Sequence, residues 1–246
     1  MDKNILEILL HDKTTGKNII WANAERDTAE ISVDDVERIQ ARYKKNRVDQ
    51  KFRTRTRAEI FTPPEVCKIQ NNLVCESFNN DWQKFIDAKF LEITCGEAPY
   101  ITSRYNAVTG EPIPIDKRVG LLDMKLSTIN TETKSPADRR DFTIRALKSV
   151  YGYEFQGDNL FLARRNIFLT VEEFLTGKIN MQTLKEILPT VAEIISWNFF
   201  QMDGLTNSPP FTESANLFGG ANCRIKDWNS GEVVEFSSLV KGGNRR

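Results

Sequence analysis

The chain has 246 residues, 40% of them hydrophobic and 28% charged, with 34 Lys and Arg set against 34 Asp and Glu. That is enough for one substantial core, or one domain with an extension, and a net charge of zero gives no overall field drawing the chain toward nucleic acid. The single histidine, His11, argues against Ser-His-Asp hydrolases, Cys-His proteases and His-ligated zinc enzymes.

No apolar run is long enough to span a membrane, and Met1-Asp-Lys-Asn carries no signal-peptide pattern, so a cytoplasmic protein is expected. Cys67, Cys75, Cys95 and Cys223 form no Cys-x-x-Cys pair and read as free buried thiols.

Along the chain, Ile5–Leu10 and Ile19–Trp21 are apolar patches around a polar turn, read as a short helix and a strand, or a hairpin. Ser32-Val-Asp-Asp starts a further helix. A strip follows in which Arg38, Arg42, Lys44, Lys45, Arg47, Lys51, Arg53, Arg55 and Arg57 face one acid, Asp49. It suits phosphate contacts or a solvated helix face equally. Thr62-Pro-Pro-Glu65 has the form of a capping box, and Val66, Ile69, Leu73 and Val74 recur at helical spacing to about Phe78.

A helical piece from Trp82 to Ala88 leads to a strand at Lys89–Thr94, and helical patterns cover 120–130 and 138–150. Tyr151–Phe155 reads as a second strand, and Asp158 is positioned to cap a helix through Phe174. A helix from Met181 to Ile195, which Pro189 should kink, precedes a third strand, Trp197–Met202. Ala221–Trp228 and Glu232–Phe236 read as a hairpin, followed by a frayed Lys241–Arg246. Strands alternating with helices indicate a parallel α/β sheet, whose ligands bind beyond the carboxyl ends of the strands. Glu92–Glu97, Glu154 and Asp203 all fall there.

Two of these stretches, Glu59-Ile-Phe-Thr-Pro-Pro64 and Phe90-Leu-Glu-Ile-Thr-Cys-Gly-Glu-Ala-Pro-Tyr100, together resemble the cofactor-binding entry of adenine-specific DNA methyltransferases of bacterial restriction–modification systems. The resemblance covers roughly residues 52–205. It implies an α/β fold with an incomplete, Rossmann-like S-adenosylmethionine-dependent methyltransferase core over 58–205. An N-terminal extension over 1–57 and a C-terminal loop and β-hairpin over 206–246 would flank it. Phe61, Thr62 and Pro63 would start a helix facing the methionine carboxylate of the cofactor. Glu92, Cys95, Gly96, Ala98 and Tyr100 fall on the family's glycine loop, with Ala98 where a second glycine is usual. Glu154 would accept from the ribose hydroxyls, and Asp203 would contact the adenine amino group.

Ser208, Pro209, Pro210 and Phe211 match the family's catalytic loop literally and are the candidate catalytic residues. They lie only four residues past Gly204 with no strand before them, so a turn is the favoured alternative. Little sequence follows Asp203 compared with the strand–helix units of about thirty residues that would complete such a sheet. The resemblance therefore implies DNA as substrate, with a second subunit (an endonuclease or specificity subunit) completing the site, or a catalytically inactive protein that binds DNA or a partner. A weaker reading takes Asp116, Asp123 and Lys125 as the metal site of a Mg²⁺-dependent restriction nuclease.

Overall fold

In the computed structural model, residues 1–24, 27–57, 59–60, 62–212 and 222–242 are described; Phe61, one of the expected cofactor residues, lies outside them. The architecture is mixed α/β. Strands β1 (Phe90–Glu92), β2 (Val150–Glu154) and β3 (Phe199–Gln201) form a parallel sheet in the order β1-β2-β3. Parallel neighbours need long crossovers. Helices α5 (Leu121–Glu132) and α6 (Pro136–Lys148) make the first, and α7 (Gly157–Leu175) and α8 (Met181–Asn198) the second.

Local chemistry sets these helices. Ser135 caps α6, its Oγ accepting from the Asp138 N–H at 3.0 Å with Pro136 at the first helical position, and Asn180 caps α8 by accepting from Thr183 N–H at 2.8 Å. Pro189 lies inside α8, and the carbonyl it leaves without an amide partner belongs to exposed Lys185, where water can reach it.

Register divides the sheet into two faces. Val150 and Phe199 face the helical layer, in a core that includes Leu160, Phe161, Ile167 and Ile195. Gly152 is glycine for a packing reason: a Cβ there would lie 2.8 Å from the Phe199 ring. Tyr151, Phe200 and Met202 face the opposite way, into a smaller core with Cys223, Ile225 and Phe236. The last three come from a hairpin of β4 (Arg224–Lys226) and β5 (Val233–Glu235) and from α9 (Phe236–Gly242), which takes the place of part of the expected frayed tail.

The N-terminal region is woven into the main core rather than appended to it. Helix α1 (Lys3–Leu10) packs on α8, and Ile5, Leu9, Leu10, Ile19 and Ile31 all join the main cluster. Fully buried Arg164 fastens this junction, donating to the carbonyls of Leu9 (2.7 Å), His11 (3.0 Å), Ser196 (3.2 Å) and Phe199 (2.7 Å). A buried guanidinium is tolerable because its donors are satisfied.

Three local expectations change. The helix expected from Ser32 is two 3₁₀ turns, Val33–Arg38 and Arg42–Lys44, because the chain extends between them to bury Ile39 and Ala41. Only then does α2 (Arg47–Arg57) begin. In α3 (Pro64–Glu76) the apolar stripe Val66, Ile69, Leu73 is 40%, 63% and 64% exposed, and the buried residues are Cys67 and Asn71. Asp158 is not the cap of α7 but lies in its first turn behind Gln156, its carboxylate engaged by Arg53 and Lys45. No helix among the described residues is long and apolar enough to cross a membrane.

Candidate functional site

β1 ends at Glu92, and the chain then turns sharply. Thr94, Gly96 and Ala98 have φ of +48°, +56° and +61°, so every second residue is left-handed. Only glycine takes such angles without cost. The turn is held from several sides: Cys95 N–H donates to Tyr153 O at 2.8 Å, Ala98 N–H to Cys95 O at 2.7 Å, and Leu121 N–H to Tyr100 O at 2.7 Å. Glu97 points inward, accepting from the Arg42 N–H at 2.7 Å and bonding the Tyr105 hydroxyl.

Helix α3 is fastened to the same turn by one side chain. The Asn71 amide donates to Tyr100 O at 3.0 Å and to Val119 O at 2.8 Å. This explains why α3 turns its Cys67/Asn71 face inward: the amide adds a second donor to the Tyr100 carbonyl, which also takes the Leu121 N–H, and supplies one to the Val119 carbonyl. At the start of α3 the capping-box reading is corrected. Pro64 begins the helix, so the cap position falls on Pro63, which has no side-chain acceptor; its carbonyl takes the Val66 N–H (3.0 Å) and Cys67 N–H (3.2 Å). Thr62 is thereby released to face the turn after β1.

Between these elements lies a cavity of about 380 Å³. Glu92, Thr94, Cys95, Gly96, Tyr100 and Thr62 line it, together with Ile60, Phe90, Leu91, Ile93, Pro99, Ile101 and Leu121. Six sites named from sequence or adjacent to them thus meet around one space, at the carboxyl end of β1. Pro63 stands beside it as the cap of α3, and Ala98, fully buried, supports the turn from behind. The apolar lining from Ile60, Leu91, Ile93 and Leu121 was not anticipated, although all but Leu121 sit in the two motifs that resemble the cofactor-binding entry.

Glu92 is the chemical centre of this cavity. Its Oε1 accepts from the Tyr100 N–H at 3.3 Å, while Oε2 is buried with no hydrogen-bond partner among the described residues. Burial, helped by the neighbouring Glu154 charge and opposed by the Tyr100 and Ile101 N–H groups, pushes its pKa up to about 8. A buried carboxylate oxygen left without a partner carries an unmet demand for a cation or a hydrogen-bond donor.

Glu154, at the end of β2, is placed differently. Its Oε2 accepts from Gly96 N–H at 2.8 Å and its Oε1 from Gln156 N–H at 3.0 Å. It ties the glycine turn to β2 from behind and is not part of the cavity lining. Burial raises its pKa against these two bonds.

Asp203 and Ser208–Phe211 do not reach this cavity either. Asp203 Oδ1 accepts from Leu205 N–H at 2.8 Å, and its backbone pairs with Ser208, closing a tight turn. Ser208 Oγ is 2.7 Å from Thr206 Oγ1, and the Phe211 ring stands edge-on to Phe155 at 5.4 Å. Local hydrogen bonds of this kind are those of a loop that stabilises itself, in keeping with the favoured turn.

Of the residues of the nuclease reading, Asp116 and Asp123 line one small cavity, but Lys125 is not part of its lining. Asp123 caps its own helix, accepting from the Gly120 (3.1 Å) and Ser103 (2.8 Å) N–H groups. Buried Lys125 points elsewhere, donating to the Ile86 (2.9 Å) and Ala88 (2.8 Å) carbonyls and to Ser149 Oγ, 4.8 Å above the Phe90 ring. No cluster of metal-ligating residues occurs among the described residues. All four cysteines are free. Set against family models, curated proteins and solved structures, the chain has no match.

Proposed function

We propose that the chain binds S-adenosylmethionine in the cavity beyond β1 and serves transfer of its methyl group to adenine N6 of DNA, as an enzyme or as the modification subunit of a restriction system. The observation that carries this reading is that Glu92, whose buried Oε2 has no hydrogen-bond partner among the described residues, lines a cavity of about 380 Å³. That volume falls within the range of roughly 300–1,000 Å³ usual for small-molecule sites. A cavity at the carboxyl end of a parallel strand also suits a Rossmann-like core.

The residues present fit the cofactor. Glu92 would take its ammonium group, and the partial positive charge at the start of α3, beside Thr62 and Pro63, would favour its carboxylate. The turn through Thr94 and Gly96 brings backbone close to the ligand, and Leu91, Ile93, Tyr100 and Leu121 supply apolar and aromatic surface. When bound, the cofactor supplies an electrophilic methyl group. The ribose role expected of Glu154 is not proposed, because both of its oxygens already accept backbone N–H groups.

A second reading, in which the chain binds the cofactor and a partner subunit supplies the end of the site that holds the target amine, is favoured by the position of Ser208–Phe211. That segment is closed on itself by Asp203 and Thr206 and is not among the cavity lining.

The test is thermal unfolding with S-adenosylmethionine, S-adenosylhomocysteine and ATP. Ligand at one hundred times its dissociation constant stabilises by about 2.7 kcal/mol, raising Tm by roughly 5–10 °C for a chain of this size. The expected result is a rise with the first two, none with ATP, and loss of the rise in Glu92→Ala. No shift with either methyl-cycle ligand removes the proposal. Transfer of labelled methyl to DNA by the purified chain then separates the first reading from the second.

A further inference from the structure

The second part of the basic strip, from Arg47, forms a helix of unusual placement. Of the side chains described in α2, only that of Arg53 is buried, while Val48 and Phe52 are 76% and 59% exposed. Among the described residues, no side chain of α2 joins an apolar core cluster. Polar side chains hold the helix: Arg53 pairs with Glu59 and with Asp158 (3.0 Å) and donates to Asn23 Oδ1 (3.0 Å), while Gln50 donates to the Lys45 carbonyl (2.8 Å) and the Arg42 carbonyl (3.0 Å). Lys45 adds a further contact to Asp158 at 3.1 Å.

With one side fixed, the other presents a regular array. Arg47, Lys51 and Arg55 are exposed at four-residue intervals, and none forms an ion pair among the described residues. Helical rise places them about 6 Å apart along one stripe. Val48 and Phe52 form the adjacent stripe. The single acid of the helix, Asp49, is engaged by Asn46 at its N-terminal end. Ile60 and Thr62, on the cavity wall, follow α2 in the sequence.

We infer that α2 is a nucleic-acid-contacting helix, with Arg47, Lys51 and Arg55 set against successive backbone phosphates and Phe52 against a base or sugar. A row of cations at regular spacing matches the charge of a phosphate backbone, and an aromatic beside it offers a stacking face. The zero net charge of the chain makes this local array, rather than a global field, the source of affinity. The inference fits the DNA substrate proposed above but is measured without cofactor, so failure of either leaves the other standing.

The experiment is fluorescence anisotropy of a labelled mixed-sequence DNA, as duplex and as single strand, over a salt series. The protein is wild type, Phe52→Ala, or the triple variant Arg47→Gln, Lys51→Gln, Arg55→Gln. All substituted side chains are exposed, and circular dichroism melts verify folding. The triple variant is expected to bind about tenfold or more weakly and to lose about 2–3 from the slope of log K against log salt, near 0.9 for each phosphate contact. Phe52→Ala is expected to weaken single-strand binding about fivefold to a hundredfold with the slope unchanged. Absence of DNA binding by the wild type, or an affinity and slope unchanged in the triple variant, overturns the inference. So does loss of binding to phosphatidylglycerol vesicles in the triple variant with DNA binding intact, which would make α2 a membrane-surface helix.

Discussion

Two acids end adjacent strands of the same sheet, and their surroundings give them opposite roles. Glu154, at the end of β2, has one backbone N–H on each carboxylate oxygen. Glu92, at the end of β1, has one N–H on one oxygen and none on the other. The first is a strut between two turns, and the second keeps one oxygen that no group among the described residues satisfies. Strand-end position is the same in both cases. What separates them is how far the backbone already satisfies each carboxylate.

The largest expected effect comes from removing the strut. Glu154→Ala leaves the Gly96 and Gln156 N–H groups without acceptors, and each buried donor left unpaired costs about 1–3 kcal/mol. A loss of about 2–6 kcal/mol is expected by denaturant titration. Glu154→Gln is expected to recover about half of it, since the amide offers one acceptor and turns its NH₂ toward the other donor. A Glu154→Gln variant as stable as wild type would show that the two bonds carry no weight.

The same Glu→Gln change at Glu92 is expected to do the opposite. Glutamine keeps an oxygen for the Tyr100 N–H and places no bare charge in the buried position. Glu92 has its folded pKa raised from the usual 4.5 to about 8, so between those values the folded protein holds a proton that the unfolded chain has released. Stability then falls as pH rises through that window, at up to about 1.4 kcal/mol per pH unit, and levels above it. Buried Glu154, Glu97 and Asp123, with pKa values raised in the same direction, add slopes of the same sign. The difference between Glu92→Gln and wild type isolates Glu92. The variant is expected to gain about 1–3 kcal/mol on wild type between pH 5 and pH 8 while losing the thermal shift with S-adenosylmethionine. Parallel stability–pH curves for the two proteins would show that the orphaned oxygen is hydrated rather than held for a ligand.

Much of the fold was legible because its signals are local. The apolar runs at Phe90 and Tyr151 and the later part of the run expected from Trp197, Phe199–Gln201, became adjacent parallel strands, while Trp197 itself lies in α8. The glycine turn after β1 lines the cavity. What was not legible depends on distant partners. The helical stripe of Val66, Ile69 and Leu73 reads as a core face, yet the inward face of α3 was chosen by Asn71 and two carbonyls, one of them 48 residues away. Lys125 and Asp123, two residues apart, were drawn to different partners by Ile86, Ala88 and Gly120. Glu154 and Glu92 look alike in sequence because the N–H groups that distinguish them come from the neighbouring turns.

The smallest expected effect tests the turn itself. The turn after β1 has left-handed backbone at Thr94 and Ala98, whereas none of Glu154–Asp158 after β2 has a positive φ. An alanine at +61° carries about 1–2 kcal/mol of strain. Ala98→Gly would relieve it, against about 0.8 kcal/mol for a buried methyl and about 0.5–1 kcal/mol for the added freedom of the unfolded chain. The terms nearly cancel, so stability within about 0.5 kcal/mol of wild type is expected even though Ala98 is fully buried. A loss above about 2 kcal/mol would mean that packing of the Ala98 methyl, not backbone geometry, holds the turn. The strain would then no longer set the β1 turn apart from the one after β2.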